Sequence, residues 1–261
     1  MTREAIPAER RKRILDRLRE NGAVRVSVLS NELAVSDVTI RRDLALLESE
    51  GTLERTHGGG IITQRLNSEP EYSDKDQRQR EGKERIGCLA ATIVEAGETV
   101  FVNSGSTNRH VLRSLSERAE LRVITSNAAA LAHSWPDNEL IVVGGAYRAQ
   151  SNSLVGPLAN QHIRQMHADH AFLGVDGISP VSGLSTPSPW EGEIARLMIE
   201  QTRGSVVVVA DRTKLGVIAD FATASLSAVD LLITDEEPPE DFAASLVNSG
   251  VGLLVAGPDT P

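Results

Sequence analysis

The chain has 261 residues, 40% of them hydrophobic and 3% aromatic, with a formal net charge of −9. That length builds one large core plus a small domain, and the net acidity argues against a general nucleic-acid coat. One cysteine excludes an intramolecular disulfide framework, the low aromatic content disfavours a stacking platform for single strands, and no apolar run matches a signal peptide or a membrane span.

Charge is unevenly spread. Residues 1–65 carry 12 Lys+Arg against 10 Asp+Glu, and the remainder carries 15 against 26. The basic surface is therefore N-terminal, with Arg10-Arg11-Lys12-Arg13 as its densest cluster, a solvated face or a phosphate contact. Ile14, Leu15 and Leu18 give a first amphipathic helix ending near Asn21-Gly22. Ser27 is placed to cap a second helix, on which Leu29 and Leu33 are four apart, and Ala34-Val35 turns into a third.

Ser36 caps that third helix, and Ile40, Leu44 and Leu47 at i, i+4, i+7 form one apolar stripe. Val38, Thr39, Arg41 and Arg42 lie off the stripe. A short helix with an aliphatic back and an Arg/Thr front suits a DNA major groove. The run Gly51 to Gly60 then reads as a small β-hairpin, with Leu53 alternating with polar neighbours and the glycines ending it. Arg55 and His57 sit on this wing. An ordinary helical hairpin with solvated arginines is the alternative, but the helix–turn–helix–wing order favours double-stranded DNA as partner. Residues 1–62 form this unit, and Ser36, Val38, Thr39, Arg41, Arg42, Arg55 and His57 are its DNA-binding candidates.

Residues 63–82 are polar and charged, contain Pro70, and read as a linker, helical near Asp74–Arg80. A helix from Lys83 carries Ile86, Leu89, Ala90 and Ile93, with Cys88 read as a small core residue. From there to 261 short aliphatic strands alternate with helices: 99–103, 121–125, 140–143, 171–175, 206–209 and 231–234, with helices after Ser106-Thr107 and Ser126-Asn127 and over 194–202. Continuous aliphatic strands separated by helices indicate a mostly parallel sheet buried on both faces.

Ligands in such sheets bind at the carboxyl ends of strands. Those ends are small or polar here: Asn103-Ser104-Gly105-Ser106-Thr107, Thr125-Ser126-Asn127, Gly144-Gly145, Asp176-Gly177 and Asp211. Gly105 permits a tight turn, and the hydroxyls and N–H groups around it suit an anion at a helix N-terminus. An ordinary strand-to-helix cap reads the same way, and the Gly-Lys-Ser/Thr ending of a Walker loop is absent. Asp176 is placed to hold sugar hydroxyls or is a turn residue. Lys214, in Asp211-Arg-Thr-Lys-Leu-Gly216, is a phosphate partner or a surface lysine; Arg148 and Glu191 are open in the same way. The six histidines lack metal spacing, and no metal or cofactor is expected.

The chain resembles the DeoR family of transcriptional regulators across nearly all its length. The N-terminal match is Val35-Ser-Asp-Val-Thr-Ile-Arg-Arg-Asp-Leu44 followed by Arg55-Thr-His-Gly-Gly59. Phe101-Val-Asn-Ser-Gly-Ser-Thr107, Val143-Gly-Gly145, Leu154-Val-Gly-Pro157, Phe172-Leu-Gly-Val-Asp-Gly-Ile178, Leu184-Ser-Thr-Pro187 and Ala210-Asp-Arg-Thr-Lys-Leu-Gly216 continue it in order. The resemblance implies a winged helix-turn-helix followed by an α/β sensor domain similar to ribose-5-phosphate isomerase. It implies a cytoplasmic repressor of a carbohydrate catabolism operon, acting as a homodimer or homotetramer, that a phosphorylated sugar or polyol releases from operator DNA. The ligand-binding candidates are Ser104, Gly105, Ser106, Thr107, Thr125, Ser126, Asn127, Gly145, Arg148, Gly156, Asp176, Glu191 and Lys214. The family often carries Asp at the position of Asn103, Thr at that of Ser106 and Lys at that of Ala195, differences that bear on ligand identity. The competing reading is a sugar-phosphate isomerase with a DNA-binding appendage, although the Lys-Gly-Gly-Gly run of such enzymes is missing.

Overall fold

The computed structural model describes residues 7–21, 23–49, 52–56, 58–62, 64–66 and 69–258. The wing candidate His57 lies outside the described residues. In chain order the first part holds α1 (Pro7–Asn21), β1 (Ala23–Arg25), α2 (Val26–Leu33), α3 (Asp37–Ser49), β2 (Leu53–Arg55), β3 (Gly59–Ile62), β4 (Gln64–Arg65), α4 (Tyr72–Gln77) and α5 (Arg80–Ala91). Then come β5 (Thr99–Val102), α6 (Ser106–Ser116), β6 (Arg122–Thr125), β7 (Glu139–Val142), β8 (Ala146–Arg148), β9 (Ser153–Val155), α7 (Pro157–Arg164) and β10 (Ala168–Gly174). The rest is β11 (Gly177–Ser179), β12 (Gly183–Thr186), α8 (Pro189–Gln201), β13 (Thr202–Val209), β14 (Val217–Ile218), β15 (Phe221–Ala224), β16 (Leu231–Thr234), α9 (Glu240–Asn248) and β17 (Gly252–Val255). Among the described residues no helix is long and apolar enough to cross a membrane.

The N-terminal helices share one small core of Ile14, Leu18, Val24, Val26, Leu29, Ile40, Leu44, Leu47 and Leu53. Ser36 starts α3 as its sequence position predicts: its Oγ accepts from the Thr39 amide at 3.2 Å. Ser27 does not cap α2. That helix begins one residue earlier at Val26, directly after β1, and its N-cap residue Arg25 offers no side-chain cap. Ala34 makes the turn in the left-handed region, φ 53°. The wing is a three-stranded antiparallel sheet in the order β1-β3-β2. Its glycines extend the hairpin rather than end it. A Cβ on Gly59 would lie 1.7 Å from the Val24 carbonyl oxygen, so only glycine lets β3 close on β1.

The second part is built on a seven-stranded parallel sheet in the order β17-β16-β13-β10-β5-β6-β7. Adjacent residues of a strand point to opposite faces. Val100, Val102, Val123 and Phe172 join Ile86, Val111, Leu112 and Leu115 in one core. Phe101, Ile124, Leu173 and Val208 join Ile163, Ile194, Leu197, Met198, Phe242 and Leu246 in the other. Helices thus cover both faces, and the strands read as unbroken aliphatic runs. Cys88 is not in either core; it is exposed. The inner face of α5 is instead Gly82, Lys83, Ile86, Gly87, Ala90 and Ala91. A Cβ on Gly87 would lie 2.6 Å from the His110 backbone, so α5 and α6 meet too closely for a larger stripe.

The polar segment after the wing is laid onto the sheet domain. β4 pairs in parallel with β14, and α4 packs near α6 although it buries no residue. Ion pairs and backbone bonds hold this segment, which explains its lack of a hydrophobic pattern. The winged helix also docks on the sheet domain. Arg25 donates to Asp241 at 2.9 Å and pairs with Glu240 at 2.8 Å. Glu54 of β2 accepts from the hydroxyls of Ser179 and Ser182.

Arg10, the first of the basic cluster, is buried and ion-paired with Asp43 of α3 rather than offered to phosphate. Removing one partner of a buried pair strands the other charge. Asp43→Ala should therefore cost the winged helix about 3 kcal/mol in denaturant unfolding. A paired Arg10→Met/Asp43→Leu variant should recover most of that loss.

Candidate ligand pocket and DNA-reading surface

On α3 the buried residues are Ile40, Asp43, Leu44 and Leu47. The opposite side carries Arg41, Arg42 and Val38, all exposed, with Val38 at 73%. Arg41 and Arg42 meet no carboxylate among the described residues. Ser36 and Thr39 hold each other through their hydroxyls at 2.9 Å and so shape the start of the helix. Arg55 projects from β2 and is exposed; its amide donates to Glu48 at 3.2 Å. The sequence-predicted contact residues that the structure describes thus share the α3–wing side, and α3 presents two free guanidinium groups there.

The second site follows from strand order. From β5 the chain steps outward to β6 and β7, then returns to β10 on the other side of β5 and continues outward to β13. The crevice at such a reversal is where open α/β sheets bind ligands. The turn after β5 and the turn after β10 meet there in one pocket. Ser104, Gly105, Ser106, Thr107, Asp176, Glu191 and Lys214 line it, all of them sequence candidates. Gly105 has φ 118°, which L side chains rarely adopt, and a Cβ there would meet nothing within 4 Å, so the backbone stands open to the cleft. Ser106 and Thr107 are the first residues of α6 rather than loop residues, and amides of a first helical turn lack intrahelical partners.

The pocket's carboxylates are each engaged. Glu191, buried at the start of α8, accepts from Ser104 Oγ at 2.7 Å and Ser153 Oγ at 3.2 Å, and Arg148 Nη1 lies 3.5 Å away. Asp176 accepts from Lys75 Nζ at 2.8 Å and Thr186 Oγ1 at 3.2 Å. Lys75 also lies 3.5 Å from Glu69, and Glu69 takes Arg148 at 2.8 Å. Burial works against the Lys75 ammonium, but Asp176 and then Glu69 hold its pKa above the usual value. Lys83 sits deeper, donating to the carbonyls of Lys75 and Arg78; burial lowers its pKa, and Asp211 at 3.7 Å offsets part of that. Burial pushes Tyr72, at the pocket wall, up to about 12, so its hydroxyl stays protonated. Lys214 lines the cleft without a carboxylate partner among the described residues.

Several candidates stand outside the cleft. Asn127 works from behind: its Nδ2 donates to the Gly105 carbonyl at 3.0 Å and its Oδ1 accepts from Ala129. Thr125 Oγ1 donates to Val102, and Ser126 Oγ is buried without a partner. Gly145 abuts Val155, and Gly156 is the cap residue just before α7. Arg148 reaches the site only through Glu69, Glu191 and Ser151. Sequence reasoning missed Lys75, Glu69, Tyr72, Ser151 and Thr186. Thr186 was within reach, since it ends a strand beside Pro187 like the other small polar strand ends.

Cations, carboxylates and hydroxyls line this cleft together with the first turn of α6. Such a surface suits a polyhydroxylated anion: amides and ammonium groups take charged oxygens, and carboxylates take hydroxyl protons. Among the described residues no group of three or more His, Cys, Asp or Glu is arranged to hold a metal ion.

Known proteins share both parts. The family model "DeoR-like helix-turn-helix domain" matches residues 10–65, and "DeoR C terminal sensor domain" matches residues 78–236. The transcriptional regulator GlpR of Haloferax volcanii is 34% identical over 250 residues, spanning 95% of this chain and 98% of that protein. The transcriptional repressor GlcR of Bacillus subtilis is 33% identical over 254 residues, spanning 96% and 97%. These relatives are transcriptional regulators, not enzymes. Among solved structures, ribose 5-phosphate isomerase A of Methanocaldococcus jannaschii aligns over 52% of this chain and 54% of that one, with TM-score 0.39 and 17% identity. With matched domains at both ends and full-length relatives at this identity, the chain belongs to the DeoR family of helix-turn-helix transcriptional regulators.

Proposed function

We propose that the chain is a repressor of a carbohydrate catabolism operon, working in the cytoplasm, that leaves its operator when a phosphorylated sugar or polyol fills the cleft. The observation that carries this reading is the pocket at the strand reversal, which the open Gly105 turn and Lys214 line together with Asp176 and Glu191. A phosphate belongs on the Gly105–Thr107 amides and Lys214, because a carboxylate beside it would repel. The hydroxyls belong on the side of Asp176 and Glu191, and Ser104, already bonded to Glu191, marks that end. A ligand shifts the repressor only by its differential affinity for the two arrangements.

The test is a melting series with ribose 5-phosphate, fructose 6-phosphate, glucose 6-phosphate and the free sugars. At about a hundredfold its dissociation constant a ligand adds roughly 2.7 kcal/mol of stability. Gly105→Val should abolish the shift, since valine is strained at this φ, while DNA binding persists. Lys214→Ala should weaken it. Equal stabilisation by the free sugar and its phosphate would overturn the phosphate assignment.

On the DNA side, Arg41→Ala and Arg42→Ala should leave folding intact. Loss of a base contact costs about 1–3 kcal/mol and relaxes specificity, whereas loss of a phosphate contact weakens all sequences alike. Unchanged operator affinity in both variants would remove α3 as the reading helix. One short helix reads few base pairs, so the bound form should be at least a dimer on paired half-sites. Light scattering of the saturated operator complex checks this, and a monomer would refute it.

A further inference from the structure

Two serines outside the pocket hold the wing, and the same hairpin carries the pocket's carboxylate. Asp176 immediately precedes β11, and Thr186 ends β12. The base of the hairpin is closed by Thr186 Oγ1 donating to Asp176 at 3.2 Å and by the Asp176 amide donating to the Ser185 carbonyl at 3.2 Å. At the tip Ser179 Oγ accepts the amides of Val181 and Ser182 at 3.2 and 3.1 Å. Both serine hydroxyls then donate to the two oxygens of Glu54 on β2.

The hairpin is closely packed. Gly177, Ile178, Ser179 and residues 183–186 are buried. A Cβ on Gly177 would lie 2.3 Å from the Val217 carbonyl oxygen, and one on Gly183 would lie 2.2 Å from that of Ala224. Flanked this closely, the hairpin has little room to bend between base and tip. A second link runs beside it: β14 follows Lys214 closely and pairs with β4, which comes straight after the wing strand β3.

We propose that the hairpin 177–186 is the lever that couples pocket to wing, with Lys75 holding its base and Glu54 reading its tip. The proposal rests on the ligand reading above. A sugar hydroxyl that takes Asp176 must displace the Lys75 ammonium now bonded to it at 2.8 Å. The displaced base moves the tip, and Ser179 and Ser182 loosen their hold on Glu54. Lys75 and Glu54 act here as positioning residues.

Hydrogen exchange on the full-length chain tests this without a ligand. Lys75→Met should speed exchange of β2 and β3 severalfold, although residue 75 touches neither strand. Asp176→Asn, which keeps the side chain's shape, should do the same and covers the case in which Lys75→Met fails to fold. In a Ser179→Ala/Ser182→Ala background, adding either substitution should leave the wing's exchange unchanged. Wing exchange at the wild-type rate in both pocket variants would overturn the proposal. So would a pocket effect that persists undiminished once the serines are gone. A melting shift with sugar phosphates is read separately, so the ligand site can stand while the lever falls.

Discussion

Parallel strands at the point where chain order reverses cannot both be followed by crossovers that cover the same edge. Between β5 and β10 this leaves the strand ends uncovered, and backbone groups there must find other partners. Asn103 supplies two of them, since its Oδ1 accepts from the Gly174 amide at 2.8 Å and its Nδ2 donates to the Gly174 carbonyl at 3.1 Å. Asn108 ties the same turn, donating to Asn103 Oδ1 at 2.6 Å and to the Phe172 carbonyl at 3.1 Å. Two amides thus seal the floor between the strands, and the Ser104–Thr107 turn is left to face outward. Asn103 stands where an aspartate is common in the family. An aspartate could still take the Gly174 amide, but it could not donate to the carbonyl beside it.

Charge is the second constraint. The cleft brings Glu69, Asp176 and Glu191 together, and each would be costly to bury alone. Lys75 and Arg148 answer them, and the Lys75–Asp176 and Arg148–Glu69 pairs bring in the segment that follows the wing. That segment buries almost nothing apolar, so its position depends on this charge pattern. A polar stretch is thereby ordered by the pocket it helps to close, and whatever changes the pocket's charge changes the order of the stretch.

The sequence made α3 legible because cap and stripe are local: Ser36 immediately precedes the helix, and Ile40, Leu44 and Leu47 lie within it. The Ser104–Thr107 turn was legible for the same reason, small polar residues directly after an aliphatic strand. Lys75 was not, because its partner Asp176 is 101 residues away and nothing near residue 75 marks it. Ser27 misled because β1 runs straight into α2 and leaves no cap position for it. Cys88 misled because four of the six buried residues on the inner face of α5 are glycine or alanine, which hydrophobic periodicity undervalues. The short strands β8, β9, β11, β12, β14 and β15 span two to four residues each and carry no period to read.

The strand reversal also orders events during synthesis. β1 pairs with β3, so the winged helix closes only when its third strand has been made; its small core is then complete, although Ile61 of β3 is buried only once the larger domain packs on it. The sheet is different. β5, β6 and β7 emerge in the order in which they pair, yet the other edge of β5 waits for β10, about 70 residues later. At roughly 5–20 residues per second that edge stays open for several seconds. Val100, Phe101 and Val102, all fully buried in the finished sheet, border it throughout. An aliphatic edge strand without a partner is a template for pairing with other chains. The topology that opens a crevice in the finished protein therefore also leaves an adhesive edge exposed on the growing one.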